Sequence, residues 1–454
     1  MSVHSCSLLL VAASMLQQAA AFNVHTFGSG LDSCSQSTPY CESRHACAGV
    51  RGGPPASTMP ILNYTLSPWS KLGVMDHFWW VGPSELQMQS YGLRIEVQYF
   101  VDGESMPSVA FDPAFASGQG WPIAELGGQW MDTQSLVGRK GVFGAGSKIG
   151  KGGVQGGWWN DHKVPFQHSI RIEVAAIAIT PRSPGMPGMQ KGCIRGGSAV
   201  VRGHETNRSL VLSNGEPIPF SARLQVQKLQ GRLYKPAELV ELATLPAGQQ
   251  GLLYFLTLAL ETSPPWTTCM SSDCRSHLTT NNYVEGCWHL LRDTREREAF
   301  LSGSMAGIIA GTGLEDGLDS SFGFSIISTD PAEPTGLNRM CNANFSICPL
   351  QGVPFQTAKS GMLSFMSDYT QSPAVERLSV YRFFDHEVFG FRDGGSFSWR
   401  NGAVAAGSER SGEFYGGKCG ATGKTFQTGS TNVSSYAWIY TWPSFAEGTE
   451  DVIL

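Results

Sequence analysis

The chain has 454 residues, of which 41% are hydrophobic and 15% are charged, and its formal net charge is −5. This apolar content excludes a disordered or solvated chain, and the slightly acidic balance gives no reason to expect nucleic acid as a partner. The 54 glycines and 25 prolines are spread along the chain without a period. They predict many short strands joined by turns, and therefore an all-β fold.

Residues 1–21 are typical of a secretory signal peptide. An apolar run over residues 7–16 is followed by three alanines at 19–21, so cleavage is expected between Ala21 and Phe22. The run is too short to cross a membrane, and no other apolar run reaches the length of a span. We therefore expect a protein that is secreted or resides in the lumen of the secretory pathway, with no membrane span.

Cysteines and glycosylation sequons indicate the same compartment. Of the eleven cysteines, Cys6 lies in the signal, and the remaining ten predict disulfide bonds whose pairing the spacing does not decide. No Cys-x-x-Cys pair occurs, which disfavours a zinc module, and no metal is predicted. Four Asn-x-Ser/Thr sequons begin at Asn63, Asn207, Asn344 and Asn432, and they predict a glycoprotein.

After the signal, residues 22–58 are rich in Ser, Cys, Gly and Pro, and they predict a disulfide-stapled leader with a linker. The chain continues as strand-like runs separated by turn residues. The clearest is 92–109, where period-2 alternation and an Asp102-Gly103 turn predict a β-hairpin. Further strand-like runs are LGVMDHFWWVG, SIRIEVAAIAI, FSARLQVQKL, GLLYFLTLALE, RLSVYRFF, SFSWRNG and YAWIYTW.

A helix is predicted only for KPAELVELATLP, residues 235–246. The groups of strands on either side of it favour two β-sandwich domains. The predicted boundaries are 59–232 for the first domain and 233–446 for the second, which is followed by a tail at 447–454.

The stretch AGTGLEDGLDSSFGF, residues 310–324, places Glu315, Asp316 and Asp319 among glycines. Acids beside apolar sequence are costly to bury unless they are used or paired. Cleavage of a glycosidic bond needs two carboxyl groups, and Glu285, on the strand-like NNYVEGCWH, is a candidate for the second. From the residues alone, an acidic turn and an edge-strand glutamate is the simpler interpretation.

Several pieces of the chain, in order, resemble glycoside hydrolase family 172. GIIAGTGLEDGLDSSFGF is similar to the Gly-Thr-Gly-x-Glu-Asp segment of that family, which precedes an aromatic-rich strand. The resemblance covers roughly residues 55–445. The other pieces that carry it are LGVMDHFWWVG, LRIEVQYFVDGESMPSV, GGWWNDHKVPFQHSIRIEV and SVYRFFDHEVFGF.

The resemblance implies two jelly-roll β-sandwiches per chain, a double jelly roll with few short helices, assembled as homotrimers or multiples of trimers. It implies a retaining glycoside hydrolase or transglycosylase that acts on α-D-fructofuranosides or α-D-arabinofuranosides, on oligo- or polysaccharides, without a cofactor. Glu315 matches the nucleophile, and Glu285 best matches the acid/base. The interval between them is lengthened around residues 292–298, where Glu296 and Glu298 are alternative acid/base candidates.

Further residues are candidates for holding the sugar. Asp316 and Asp319 are placed to bind hydroxyl groups or to orient the nucleophile, and Trp288, His77 and Trp79 are weaker candidates for an aromatic wall. A structural, hydrogen-bonding role for His77 is also open. The chain departs from the family pattern at 317–318, where Gly-Leu replaces the usual aromatic residue. The alternative function is a non-catalytic carbohydrate-binding or shell-forming double jelly-roll protein.

Overall fold

The structure of the chain is a computed structural model, and it describes residues 25–31, 45–47, 58–81, 93–118, 148–151, 157–178, 193–195, 198–213, 215–235, 238–262, 288–301, 337–339, 350–352, 355–356, 360–368, 375–384, 389–401 and 430–444.

Within these ranges, strands dominate and helices are short. The strands of the N-terminal half are β1 (His25–Leu31), β2 (His45–Cys47), β3 (Thr58–Thr65), β4 (Leu72–Val81), β5 (Leu93–Val101), β6 (Val109–Phe111), β7 (Ile149–Lys151), β8 (Trp158–Asn160), β9 (Val164–Phe166), β10 (Ser169–Ala178), β11 (Cys193–Arg195) and β12 (Ser198–Thr206).

The strands of the C-terminal half are β13 (Arg223–Tyr234), β14 (Leu239–Leu245), β15 (Gln249–Thr262), β16 (Trp288–Leu291), β17 (Leu337–Arg339), β18 (Leu350–Gly352), β19 (Phe355–Gln356), β20 (Ser360–Asp368), β21 (Val375–Phe383), β22 (Phe389–Phe391), β23 (Gly395–Arg400) and β24 (Thr431–Pro443). The two helices of the described ranges are α1 (Pro113–Ala116) and α2 (Thr294–Leu301), and neither is long and apolar enough to cross a membrane.

Most of the N-terminal strands form two antiparallel sheets with interleaved connections, while β2 and β11 form a separate two-stranded sheet. Sheet I has the order β1-β12-β4-β8-β7, with β9 also paired to β4, and sheet II has the order β3-β10-β5-β6. In each sheet the first strand lies beside one of the last strands of the unit, β1 beside β12 and β3 beside β10, and the chain passes repeatedly between the two sheets. This wrapping is that of a jelly roll, in which two Greek keys form a sandwich.

The C-terminal strands repeat the arrangement. Sheet III begins β13-β24-β15-β21 and is extended by β20, β18 and β17, while sheet IV has the order β14-β23-β16. Again the first strands, β13 and β14, pair with the late strands β24 and β23. The prediction of an all-β chain with two jelly-roll sandwiches and few short helices is confirmed.

Two strands do not follow the domain boundaries that the sequence predicts. β1 lies in the segment predicted as a leader, yet it pairs with β12 over its whole length. Its Phe27 is buried and stacks on Tyr64 of β3, with the ring centroids 4.2 Å apart. β13 spans the predicted junction at 232/233 and pairs with β24 of the second unit.

The hairpin predicted at 92–109 is present, since β5 pairs with β6. Asp102 and Gly103 both have positive φ, 53° and 81°, as a type I′ turn requires. The Asp102 carboxylate accepts backbone N–H bonds from residues 167–169 and pairs with Arg223. Burial opposes ionisation of Asp102, but these donors outweigh it and lower the pKa of its carboxyl.

The prediction of a helix at 235–246 is wrong. Residues Leu239–Leu245 form β14, which pairs with β23 through a bulge between Glu241 and Ala243. The bulge lets both Leu242 and Ala243 be buried, so apolar spacing that suits a helix also suits this strand. Tertiary pairing overrides local helix propensity here.

Sheet III is covered on both faces, which explains its long apolar strands. Along β24, Tyr436, Trp438 and Tyr440 pack into the core of the first jelly roll, whereas Ala437 and Ile439 pack into the core shared with sheet IV. Because side chains alternate along a strand, one strand serves two cores. Sheet III therefore lies between the first jelly roll and sheet IV.

Candidate functional site

The predicted catalytic residues Glu285 and Glu315, together with Asp316 and Asp319, lie outside the described residues. Their roles stay predictions. The described residues that bear on the site are Trp288, His77 and Trp79, and the two alternative acid/base candidates of α2.

Trp288 begins β16 in sheet IV and is half-buried. Its ring lies 5.7 Å from that of Phe389 and 5.6 Å from that of Phe397, against the second core. His77 and Trp79 belong to sheet I of the first jelly roll, and sheet III intervenes between that unit and sheet IV. The structure therefore does not bring Trp288 together with His77 and Trp79.

Glu296 is engaged at the N-terminus of α2. Its carboxylate accepts the backbone N–H of Arg292 at 2.7 Å and the guanidinium of the same residue at 2.9 Å, and Arg392 lies at 3.4 Å. The backbone N–H of Glu296 in turn donates to Asp293 Oδ1 at 2.9 Å, which caps the helix. This bonding accounts for the buried Glu296 without a catalytic role, and Glu298 of the same helix is exposed.

His77 and Trp79 are brought together on the solvent side of β4. Phe78 and Trp80 of the same strand point into the core of the first jelly roll. Because side chains alternate along a strand, His77 and Trp79 face outward. Trp79 lies directly opposite Trp159 of β8 and Val200 of β12.

Gly157 allows Trp79 to take this position. A Cβ at residue 157 would fall 2.3 Å from the Trp79 indole ring, closer than real side chains approach. The backbone before β8 therefore lies directly against the indole, and only glycine leaves the space for it.

A hydrogen-bonded pair adjoins the two tryptophans. His77 Nδ1 lies 2.6 Å from Asp161 Oδ1, and the two side chains are 30% and 38% exposed. Arg202 of β12 is directly opposite His77 and is exposed. We call Trp79, Trp159, His77, Asp161 and Arg202 the aromatic–polar face.

A β-bulge at Asp76 shapes one end of this face. The register of β4 against β12 shifts there, so that His77 opposes Arg202 while Met75 opposes Gly203. Asp76 accepts a hydrogen bond from Lys163 Nζ at 2.7 Å and lies 2.5 Å from His204 Nδ1. Burial opposes its ionisation, but the bonds and charges of His204 and Lys163 prevail and lower the pKa of the Asp76 carboxyl.

Sequence reasoning identified two members of the aromatic–polar face and missed three: Trp159, Asp161 and Arg202. The signal for two of them was the run Trp158-Trp159-Asn160-Asp161, whose alternation matches that of β4. In the described parts of the chain, no group of three or more His, Cys, Asp or Glu side chains is arranged to hold a metal ion.

Comparisons with known proteins add little. No protein-family model matches the chain, and no curated protein matches it. Among solved structures, the crystal structure of the STIV MCP is similar at 9% sequence identity and a TM-score of 0.29, over 93% of this chain and 98% of that chain. This degree of similarity carries no argument about function.

Proposed function

We propose that this chain is a carbohydrate-binding double jelly-roll protein that holds sugar on the aromatic–polar face. The observation that carries the proposal is the cross-strand pair of Trp79 and Trp159, half-buried on the solvent side of sheet I beside the His77–Asp161 hydrogen bond. A sugar ring has apolar C–H faces and a rim of hydroxyl groups. It is matched by aromatic platforms with polar groups beside them.

Each member of the face has a distinct task. The indoles of Trp79 and Trp159 provide the platform, and Asp161 accepts hydrogen bonds from hydroxyl groups through the oxygen that no described residue bonds. Arg202 donates to hydroxyl or ring oxygens, and His77 fixes the orientation of the Asp161 carboxylate.

The magnitudes indicate weak binding at a single site. Stacking contributes about 0.5–1.5 kcal/mol for each aromatic ring, and each hydrogen bond contributes about 1 kcal/mol net. Two rings and three bonds sum to about 4–6 kcal/mol, which corresponds to a Kd of roughly 0.04–1 mM. Affinity of this order suits multivalent recognition of a polysaccharide, in which several copies of the chain bind together.

Calorimetry with fructofuranose and arabinofuranose oligosaccharides tests the proposal. Trp79→Ala and Trp159→Ala are each expected to weaken binding by about tenfold, since each removes about 1.4 kcal/mol of contact. Trp69→Ala is the matched control, because Trp69 is 64% exposed but lies in the loop before β4. The proposal fails if no sugar binds the wild type, or if both face variants bind as the wild type does.

A second candidate function is the retaining furanosidase. The observation that bears on its predicted residues is the engagement of Glu296 with Arg292 and Arg392, which disfavours Glu296 as the acid/base. Glu285 stays the first candidate for the partner of Glu315, and the exposed Glu298 is the alternative. Glu315 would attack the anomeric carbon, and Glu285 would protonate the leaving oxygen and then activate water.

Hydrolysis of aryl α-D-arabinofuranosides and fructofuranosides tests this second function. Glu315→Gln and Glu285→Gln are expected to abolish turnover, whereas Glu296→Gln is expected to lower stability and leave the turnover of the folded protein unchanged. Equal activity in the wild type and Glu315→Gln would remove Glu315 from the mechanism. The trimer implied by the resemblance stays a prediction that light scattering can check.

A further inference from the structure

We infer that Asn63 and Asn207 each carry an N-linked glycan and that Asn432 carries none. All three begin Asn-x-Ser/Thr sequons, so the local sequence does not separate them. Their positions in the fold do. This inference is independent of sugar binding on the aromatic–polar face, because it concerns the modification of the chain itself.

Asn63 lies on an exposed position of a sheet edge. β3 pairs with β10 and is the terminal strand of sheet II in the described structure. Its neighbour Tyr64 turns inward, where it stacks on Phe27 and bonds Glu205, so Asn63 faces outward. Asn63 is exposed, and no hydrogen bond to a described residue holds its amide.

Asn207 lies in the turn that follows β12 and is also exposed. Its Oδ1 accepts the backbone N–H of Lys71 at 3.0 Å. That bond uses the oxygen of the amide and leaves Nδ2, the atom that glycan transfer modifies, without a described partner. The folded turn therefore tolerates a glycan at Asn207 without losing a hydrogen bond.

Asn432 has the opposite environment. It lies within β24, between β13 and β15, where it opposes Leu233 on one side and Glu261 on the other. Its Oδ1 is buried, and a Cβ built on Gly231 would lie 3.7 Å from that oxygen. Asn432 is half-buried, and its amide lies against the packed surface of sheet III, so a glycan on Nδ2 would have to be accommodated against that surface. We therefore expect that a chain modified there would not complete sheet III.

The reaction is the transfer of an oligosaccharide from a lipid diphosphate donor to the side-chain amide. A bond forms between Nδ2 and the anomeric C1 of the first sugar, and the bond between C1 and the diphosphate oxygen breaks. The lipid diphosphate leaves with the electron pair, and the amide nitrogen loses one proton. No oxidant or reductant takes part.

Glycans at these two positions restrict how copies of the chain can meet. A glycan on Asn63 covers the outward side of β3, the terminal strand of sheet II among the described strands. A glycan on Asn207 covers the turn after β12. Contacts between subunits would therefore exclude the β3 edge and this turn.

The test is expression of the full chain in a eukaryotic secretory host, followed by glycosidase digestion and peptide mapping. Asn63→Gln and Asn207→Gln are each expected to remove one glycosidase-sensitive step in gel mobility, and Asn432→Gln is expected to remove none. Asn344, outside the described residues, is scored separately with Asn344→Gln. A peptide N-glycosidase hydrolyses the bond between the side-chain carbonyl and Nδ2, so peptide mapping after this digestion is expected to find Asp in place of Asn at 63 and 207.

Thr65→Ala is the second variant for the first site, because it destroys the sequon while keeping Asn63 itself. It is expected to lose the same glycosidase-sensitive step in gel mobility as Asn63→Gln. Because the two variants change different residues, a folding defect in one of them does not decide the result. A wild-type chain without a glycan at Asn63 or Asn207 would overturn the proposal. A secreted, folded chain with a glycan on Asn432 would also overturn it.

Discussion

His77 on β4 and Asp161 after β8 are joined by a 2.6 Å hydrogen bond, although they are 84 residues apart in the sequence. The bond ties two strands of sheet I at the point where Trp79 and Trp159 lie opposite each other. It also fixes the direction of a carboxylate beside two indoles. This arrangement is the structural basis of the proposed sugar site.

The contact between Gly157 and Trp79 predicts that Gly157→Ala weakens sugar binding. The new Cβ would lie 2.3 Å from the indole, so Trp79 must move away from its position. We expect a loss of about 1–3 kcal/mol in stability from the forced displacement, together with a fall in sugar affinity, measured by urea denaturation and calorimetry.

Gly73→Ala is the matched control for that variant. The new Cβ would fall 2.1 Å from the ring of Phe166, on the core side of β4, which is the strand that carries Trp79. It is expected to cost similar stability and to leave the sugar affinity of the folded protein unchanged. If both variants bind sugar equally well, the position of Trp79 does not matter to binding.

His162 predicts a loss of stability in mild acid. Its ring is fully buried among aromatic side chains, 4.4 Å from Trp438 and 5.0 Å from Phe255, where the two jelly rolls meet. Burial first, and then the charge of Lys148, lower the pKa of His162 well below its usual value near 6.5. In mild acid the unfolded chain therefore binds a proton at His162, whereas the folded chain keeps this ring neutral.

The free energy of unfolding therefore falls as pH drops below about 6.5, by about 1.4 kcal/mol per pH unit for each such histidine. Burial also lowers the pKa of His289 to about 3, so two histidines contribute between pH 6 and pH 4. Urea midpoints at pH 7.5, 6 and 5 measure the slope. His162→Phe is expected to reduce the slope by about half, and an unchanged slope would exclude His162 as its source.

The hydrogen bonds of the buried Glu205 carboxylate predict that it has a structural role. It accepts hydrogen bonds from Tyr64 at 2.5 Å, from the backbone and hydroxyl of Ser67 at 2.9 and 2.8 Å, and from Ser70 at 2.7 Å. Burial opposes its ionisation, but these donors lower the pKa of the Glu205 carboxyl. Its contribution to stability is present above about pH 4.3 and is lost as pH falls further.

Glu205→Gln is expected to destabilise the protein by about 1–3 kcal/mol at pH 7 and to reduce this acid loss. The exposed Glu298→Gln is the control and should change stability by less than about 0.5 kcal/mol. Urea denaturation at pH 7 and pH 3.5 makes the comparison. Equal stability of Glu205→Gln and the wild type would show that the loop over residues 66–71 is held by other contacts.

Local patterns predicted the strands that alternate, such as β4 and β5, and the Asp102-Gly103 turn, because these depend on neighbours in sequence. They did not predict β1, whose HTFGSGL has small residues and is a strand only because β12 pairs with it. The helix predicted at 235–246 failed for the same reason, since paired residues of β14 and the partner strand β23 are 150 or more positions apart.

The candidate site shows the same limit. The outward positions of His77 and Trp79 follow from period 2 along one strand. Their partners Trp159, Asp161 and Arg202 come from β8 and β12, and only the register of sheet I puts them on the same face. A bulge such as that at Asp76 shifts this register without a clear signal in the sequence.

The most direct test of the sugar site is a crystal structure of the full chain with a bound furanose oligosaccharide. We expect a sugar ring against the indoles of Trp79 and Trp159, with a hydroxyl group within hydrogen-bonding distance of Asp161. Sugar bound beside Glu285 and Glu315, with the aromatic–polar face empty, would contradict it and would favour the furanosidase.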